Sequence, residues 1–491
     1  MIAAVADEYG PAMIRADRSD RVRALVVLLA GVMVAAGVGL LAGRAPLACL
    51  GLLLSAVLAT AVWWRPAVAA YVIVGVTPLV VGIDRGRLVP LMRVNEALTF
   101  FLVGVLCVRA GLQRRPWDRL NLQLDPVSRA FVWFALAASL IPIIFLIGRG
   151  RPVEMDDVTY AAVMLKFLLL YAVVRFTVRT DREVTVALWV SLIAGVLVGV
   201  IGILQSLDLL GVRALLEPLF APFGYVDVVH SARAGSTVGL PAATADLMVL
   251  NLVIVLGLLS RKPSLSKYLA PVALVLVVAV FSAAEFSSVL GLVVAIVCVA
   301  VRLRRLALLK WSLVVLPVAL VALWPTFAPR IADFSSLHGV PTSWLVRYHN
   351  LMTYFWPRII DGSNLLVGVR PAARVHVDEG AFGFIWIESG YLWLLWGGGL
   401  PLLAAFCWFV WTSLKATGQA ASVLANPSAV AALAAYAGLV SCVVLMVFDP
   451  HITYRGSADA LFGLLALSAC GSQVVEQNRR RHRQSVEGEP Q

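Results

Sequence analysis

Three segments carry residues whose types and spacing suit chemistry. In 343–361, SWLVRYHNLMTYFWPRIID, the residues Arg347, Asn350, Tyr354 and Arg358 recur at a spacing that predicts one face of a helix. Two guanidiniums on one face suit an anion, because the planar fork of arginine matches phosphate oxygens two at a time. Leu345, Met352, Phe355 and Trp356 suit a membrane interface, and Pro357 should end or kink the helix. An interfacial helix with aromatic anchors and snorkelling arginines is the plainer reading of the same residues. In 231–248, SARAGSTVGLPAATADLM, Arg233 and a Gly/Ser/Thr-rich turn precede an apolar run. Exposed N–H groups at a helix start, with a guanidinium beside them, favour an anion. Asp246 falls inside that run, where an ionisable group is costly and marks function, or else pairs with an arginine or a backbone donor. In 384–406, FIWIESGYLWLLWGGGLPLLAAF, Glu388 stands at the head of another run. A carboxylate at the mouth of a water-accessible cleft can serve as a general base; the alternative is a rim carboxylate paired with Arg370 or Arg374. The triple glycine 397–399 should loosen its helix or admit a close neighbour.

A metal site is not indicated. Asp156-Asp157 and Asp378-Glu379 are adjacent acids without a supporting third ligand. The six cysteines sit in or at the ends of apolar runs with no CxxC or His/Cys spacing, so they read as small core residues.

These segments must be positioned by membrane helices. Of the 491 residues 61% are apolar and 14% charged, with mean hydropathy +0.90, against about 45–50% and 25% in a soluble domain. Cytosolic enzymes, disulfide-stapled secreted domains and nucleic-acid binders are thereby excluded. A span needs about 20 apolar residues. Candidate stretches are 24–43, 46–63, 66–83, 95–112, 128–148, 158–178, 184–208, 240–259, 267–284, 286–303, 308–326, 386–413, 428–448 and 457–473. The pair 267–303 is one long apolar stretch broken only around Glu285. The predicted fold is all-α and polytopic, with about 12–14 transmembrane helices and one large outer loop.

Basic residues orient it. With the N-terminus in the cytoplasm, the clusters at 15–23, 109–119, 302–310 and 479–483 all fall inside. The net charge of +12 is then largely a topology signal, and a nucleic-acid partner is not expected. The organisation becomes a cytoplasmic segment 1–23, helices over 24–326 with an outer loop at 209–239, a large outer loop at 327–385, C-terminal helices over 386–473 and a basic cytoplasmic tail 474–491. His230, His338, His349, His376 and His451 fall outside and His482 inside, so chemistry is expected on the outer face.

The order of four pieces resembles the O-antigen ligase/polymerase family of bacterial envelope polysaccharide enzymes, integral membrane glycosyltransferases of the GT-C type with a large outer loop. The pieces are LKFLLLYAVVRFTVRTDREV (165–184), RAGSTVGLPAATADLM (233–248), WLVRYHNLMTYFWPRIIDGSNLLVGVRP (344–371) and IESGYLWLLWGGGLPLLAAF (387–406). With the span layout, the resemblance covers about residues 90–470. It implies inverting, metal-independent and cofactor-free transfer of a glycan from undecaprenyl diphosphate to a sugar hydroxyl. The matching diphosphate-binding positions are Arg233 and Arg347, with Arg358 and Arg370 in support. The base position is Glu388, followed by Ser389, where ligases of the family are proposed to carry a histidine. An acidic residue there resembles the polymerase branch. His349 and His376 are alternative bases, and Tyr348, Tyr354 and Trp386 are candidate sugar-facing or lipid-facing aromatics.

The expectation is therefore an envelope polysaccharide polymerase in the bacterial inner membrane, multi-pass with both termini cytoplasmic. Its partners would be a lipid-linked oligosaccharide donor, a glycan acceptor and membrane lipids. An O-antigen ligase using a lipid or other acceptor is one alternative. A transporter or flippase of lipid-linked sugars is the other, hinted at by Lys166, Asp246 and the triple glycine.

Overall fold

The computed structural model describes residues 46–112, 124–221, 226–332, 342–377, 383–422 and 426–470. The predicted span 24–43, the segments 1–23 and 474–491, His338 and the pair Asp378-Glu379 lie outside the described residues. The chain divides into two compact units, Met1–Arg65 and Pro66–Gln491. Within the first, Pro46–Trp64 (α1) is a helix of 19 residues without a charge.

The second unit is a helical bundle. In chain order it comprises Ala67–Val80 (α2), Val94–Leu112 (α3), Pro126–Gly148 (α4), Met155–Thr177 (α5), Asp181–Ser206 (α6), Val212–Phe220 (α7) and Val226–His230 (α8). Pro241–Arg261 (α9), Ser266–Ser282 (α10), Phe286–Arg302 (α11), Ala307–Ala322 (α12) and Trp324–Ala332 (α13) follow. Then come Thr342–Asn350 (α14), Trp356–Ile360 (α15), Asn364–Val367 (α16), Gly390–Ala421 (α17), Pro427–Leu445 (α18) and Ser457–Ser468 (α19). Every predicted stretch among the described residues is a helix. The long stretch 267–303 is indeed two, α10 and α11, parted at 283–285, where Ala284 takes φ 50°. Eight of the described helices are long and apolar enough to cross a membrane, as a multi-pass protein requires. Two departures from an all-helical reading are three-residue strands, Arg374–His376 (β1) and Phe384–Trp386 (β2), which pair antiparallel with Arg374 opposite Trp386.

Local sequence sets the helix starts. Asp125 accepts from Ser128 N at 2.8 Å, Thr180 and Glu183 form a reciprocal capping box, and Asn426 accepts from Ala429 N at 3.1 Å. Each satisfies donors that a helix start leaves open. The core is aromatic where α4, α5, α17 and α19 meet. Phe131 stacks on Phe462 at 4.6 Å, and Phe134 on Phe409 at 5.5 Å.

Bonds between distant segments gather the predicted outer segments at one end of this bundle. Gly82 N donates to Thr237 O at 3.0 Å, Ala234 N to Ser282 O at 3.0 Å and Gly390 N to Met446 O at 2.7 Å. Arg149, just past α4, donates to Asn364 Oδ1 at 2.6 Å. The C-termini of α2, α4, α10 and α18 therefore share an end with the N-termini of α9 and α17. At the other end Arg175 grips Asp125 at 2.6 Å, and Arg302 lies over the Tyr436 ring at 4.6 Å.

The predicted loop 327–385 is built rather than slack. Between α14 and α15 the backbone makes a π turn, Leu351–Phe355, so the helix runs on through Pro357 to Ile360 and does not end there. Proline lacks the N–H and crowds the carbonyl four residues back; the wider turn just ahead of it accommodates both. A π turn takes in one extra residue, which rotates everything beyond it by about 100°. The expected common face of Arg347 and Arg358 is lost in this way. Phe355, expected at the membrane interface, is fully buried and meets Trp396 edge-on at 5.2 Å.

The triple glycine seats the next stretch of this segment. Gly399 adopts φ 65°, ψ −157° and breaks the helical path of α17. Trp396 O then accepts from Val369 N at 2.7 Å. A Cβ on Gly399 would meet the Leu366 carbonyl at 2.6 Å, and one on Gly368 would meet Gly398 N at 2.8 Å. Only glycine permits this backbone-on-backbone contact.

Candidate functional site

Arg347 is the centre of one cluster. Its Nη1 donates to Asp449 Oδ2 at 3.0 Å, and its Nε lies 3.4 Å from Glu388 Oε1. Arg347 comes from α14, Glu388 from the three residues between β2 and α17, and Asp449 from the turn between α18 and α19. The Arg347 and Glu388 side chains keep 29% and 33% of their surface exposed, so solvent or substrate reaches both. Burial pushes the Glu388 carboxyl above its usual range; the Arg347 charge pulls it back and Asp449 pushes it further up. Asp449 is also raised by burial, against the charge of Arg347 and that of His451 when its ring is protonated. Tyr454, on the same turn, is raised well above a normal phenol by burial and by Asp449 and Asp246. Arg347 loses some basicity to burial but gains more from its two carboxylates. A guanidinium between two carboxylates, one of them a strengthened base, can trade a carboxylate for an incoming anion and leave the other free to take a proton.

A second cluster lines a cavity of about 450 Å³ with Arg151, Arg358, Arg370, Arg374 and His376 among its walls. Arg370 is held by Asp157 at 2.6 Å and by Glu154 at 2.9 Å, and Arg374 by Asp156. Hydrogen bonding to Asp157 is the main cause that raises the Arg370 guanidinium. Burial, and then the neighbouring Arg151 charge, lowers Arg149 beside this cavity. The hairpin joins the two clusters: Ile387 N donates to Ala373 O at 3.1 Å, so Glu388 follows directly on a strand paired with the cavity wall.

The structure thus brings Arg347 to Glu388, and gathers Arg358, Arg370 and His376 around one cavity. Arg233 is engaged elsewhere, in an ion pair with Glu285. The turn that follows it does not offer its donors to an anion, contrary to expectation. Ala234 N and Ser236 N are spent on Ser282 O and Gln205 Oε1, Gly239 N on Gly235 O, and residues 234–238 are buried. The alternative for Glu388, pairing with Arg370 or Arg374, is overturned, since those arginines are taken by Asp157 and Asp156. Asp246 pairs with neither arginine nor backbone but with His451 Nδ1 at 2.6 Å. Lys166 faces Asp459 at 3.7 Å. Tyr348 and His349 are exposed and Tyr354 is half-buried on the α14–α15 segment. Trp386 engages Tyr160, and the His376 ring meets Phe384 edge-on at 4.5 Å.

Sequence reasoning passed over Asp449, Tyr454 and Arg151, and gave His451 no role beyond its side of the membrane. The available signal was FDPHITYR (448–455), a polar cluster set directly after an apolar run on the side already assigned to the other segments. No protein-family model and no curated protein matches the chain.

Proposed function

We propose that the chain is a membrane glycan transferase of the envelope polysaccharide polymerase kind, acting on the outer face of a bacterial inner membrane. The observation that carries this reading is Arg347 shared between Glu388 and Asp449 beside an arginine-lined cavity, at the end of a bundle with eight span-length apolar helices. The order of motifs that resembles the O-antigen ligase/polymerase family supports it.

In this reading Arg347 takes one oxygen pair of the lipid diphosphate in place of a carboxylate, with Arg358 and Arg370 reaching the same anionic donor from the cavity. Arg233 supports the donor after parting from Glu285. Glu388 removes the proton of the acceptor hydroxyl as its oxygen forms a bond to the anomeric carbon. The bond from that carbon to the diphosphate oxygen breaks, and the guanidinium stabilises the charge left on the leaving group. Burial makes Glu388 a stronger base than a solvated glutamate, which favours this step.

The test is an assay of purified protein in nanodiscs with a lipid-diphosphate-linked oligosaccharide and EDTA, following glycan length by gel or mass spectrometry. Longer glycan and released lipid diphosphate, absent in Arg347→Ala and Glu388→Gln, are the expected results. Single-step transfer to an added lipid acceptor would make the protein a ligase.

The transporter reading draws on the two ion pairs inside the bundle, Lys166–Asp459 and Asp246–His451, and on the helix broken at Gly399. Movement of the lipid-linked glycan across a proteoliposome without bond formation would establish it.

A further inference from the structure

Asp246 and His451 belong to neither cluster of the candidate site. His451 is 2% exposed, and its Nδ1 lies 2.6 Å from Asp246 Oδ2, which comes from the second turn of α9. With Asp246 ionised, its carboxylate can only accept, so that Nδ1 carries the hydrogen and the neutral ring presents a lone pair at Nε2. Nε2 is buried and has no hydrogen-bond partner in the protein. Next to the pair is a cavity of about 30 Å³ whose walls include Asp246, His451, Ser441, Cys442 and Ser457. One water needs about 10–15 Å³ and two or more polar partners. The two serine hydroxyls spend their hydrogens on Gly291 O and Tyr454 O, which leaves their lone pairs for such a water.

We propose that Asp246 and His451 form a buried proton-binding site, in which Nε2 takes up a proton through a water seated in this cavity. The proton comes from solvent, the imidazole becomes imidazolium, and Asp246 is its counter-charge. The titratable groups around it are Asp246 on α9, Cys442 on α18, and Asp449 and Tyr454 on the turn that carries His451; the wall residues from α11 and α19 are not titratable. Arg347 and Glu388 lie beyond Asp449.

The site acts on Arg347 at one remove. His451 N donates to Asp449 O at 2.8 Å, and the His451 ring packs on Tyr454 at 4.7 Å. A positive imidazolium favours ionised Asp449, and ionised Asp449 holds Arg347. His451 is therefore a positioning residue for Arg347, whose grip tightens when the ring is protonated. None of this depends on the transferase reading, and the test needs no activity assay.

The experiment is ¹⁵N NMR of the histidine rings in the full chain in nanodiscs. His451 is the one histidine that follows a proline, so ¹³C′-proline with ¹³C,¹⁵N-histidine labelling identifies its backbone amide and carries the assignment through the side-chain carbons to the ring without a substitution. At about pH 8 the ring should carry hydrogen on Nδ1 alone, and acidification to about pH 5 should protonate Nε2. Asp246→Asn should lose the Nδ1–H preference and Asp246→Glu should restore it. A ring with its hydrogen on Nε2 at pH 8, or one that stays neutral to pH 5, overturns the proposal. The Arg347 Nε resonance, assigned by Arg347→Lys, should shift with the same protonation step and stop doing so in Asp246→Asn. An Arg347 signal indifferent to that step removes the positioning role.

Discussion

Arg347 and Asp449 are 102 positions apart in the chain, yet Nη1 and Oδ2 meet at 3.0 Å. This bond ties α14, within the segment 327–385, to the turn between the last two described helices. Glu388 closes on the same guanidinium from a third segment. The proposed chemistry therefore rests on three stretches that touch only in the folded protein.

If Glu388 is the base, activity should fall as pH drops through its raised pKa, at higher pH than for a solvated glutamate. Asp449 contributes to that rise, so Asp449→Asn should lower the Glu388 pKa and move the acid limb to lower pH. Arg347 opposes the rise, so a weakened Arg347→Lys contact should move the limb upward. A pH–rate profile of each variant checks both signs, and an unmoved limb removes Glu388 from the role.

Arg347→Ala should lower turnover by about 10²–10³, the scale seen when one donor to developing charge is lost. Its thermal midpoint should change little, because the guanidinium and Glu388 keep access to solvent and Asp449 keeps the Tyr454 hydroxyl as a partner. Single-turnover rates beside a melting curve separate the two effects.

Arg370→Ala should cost stability as well as donor binding. Asp157 has no exposed surface, and removing Arg370 strands its charge. The expected loss of stability is about 2–3 kcal/mol, while Arg358→Ala, which strands nothing, should leave the fold unchanged. Denaturation followed by tryptophan fluorescence in detergent compares them.

Gly399→Ala should destabilise the protein by about 1–3 kcal/mol, since its φ of 65° strains any side chain and the new Cβ would press on the Leu366 carbonyl. Limited proteolysis should then cut faster near 361–369 than in the parent chain. Equal resistance would show that the contact is dispensable.

Periodicity and hydropathy made the helices legible, because a bilayer imposes length and composition on each span separately. Even the division of 267–303 followed from the single polar break at Glu285. Glu388 was visible as a lone carboxylate at the head of an apolar run. Its partner was not, because the nearest arginines in the sequence, Arg370 and Arg374, are claimed by Asp157 and Asp156 from another helix. The shared face of Arg347 and Arg358 failed for a local reason: helical spacing assumes a uniform turn, and the π turn at 351–355 breaks that count. The Arg233 turn misled because glycine and serine look alike whether their amides face solvent or are bonded inside. The pairing of Asp246 with His451 spans 205 positions and leaves no periodic trace.

The seam at 366–369 and 396–399 is made of main chain on both sides, and that separates anchoring from recognition. A contact between two backbones carries no demand on neighbouring side chains beyond the glycines themselves. The cavity-facing residues before it, Arg358 and Asp361, can be exchanged without undoing the attachment, whereas Arg370 and Arg374 after it are tied to Asp157 and Asp156. The wall is an interchangeable panel on a fixed mount. A chain built this way can be refitted to a different polar ligand by a few surface substitutions, with its helices left as they are.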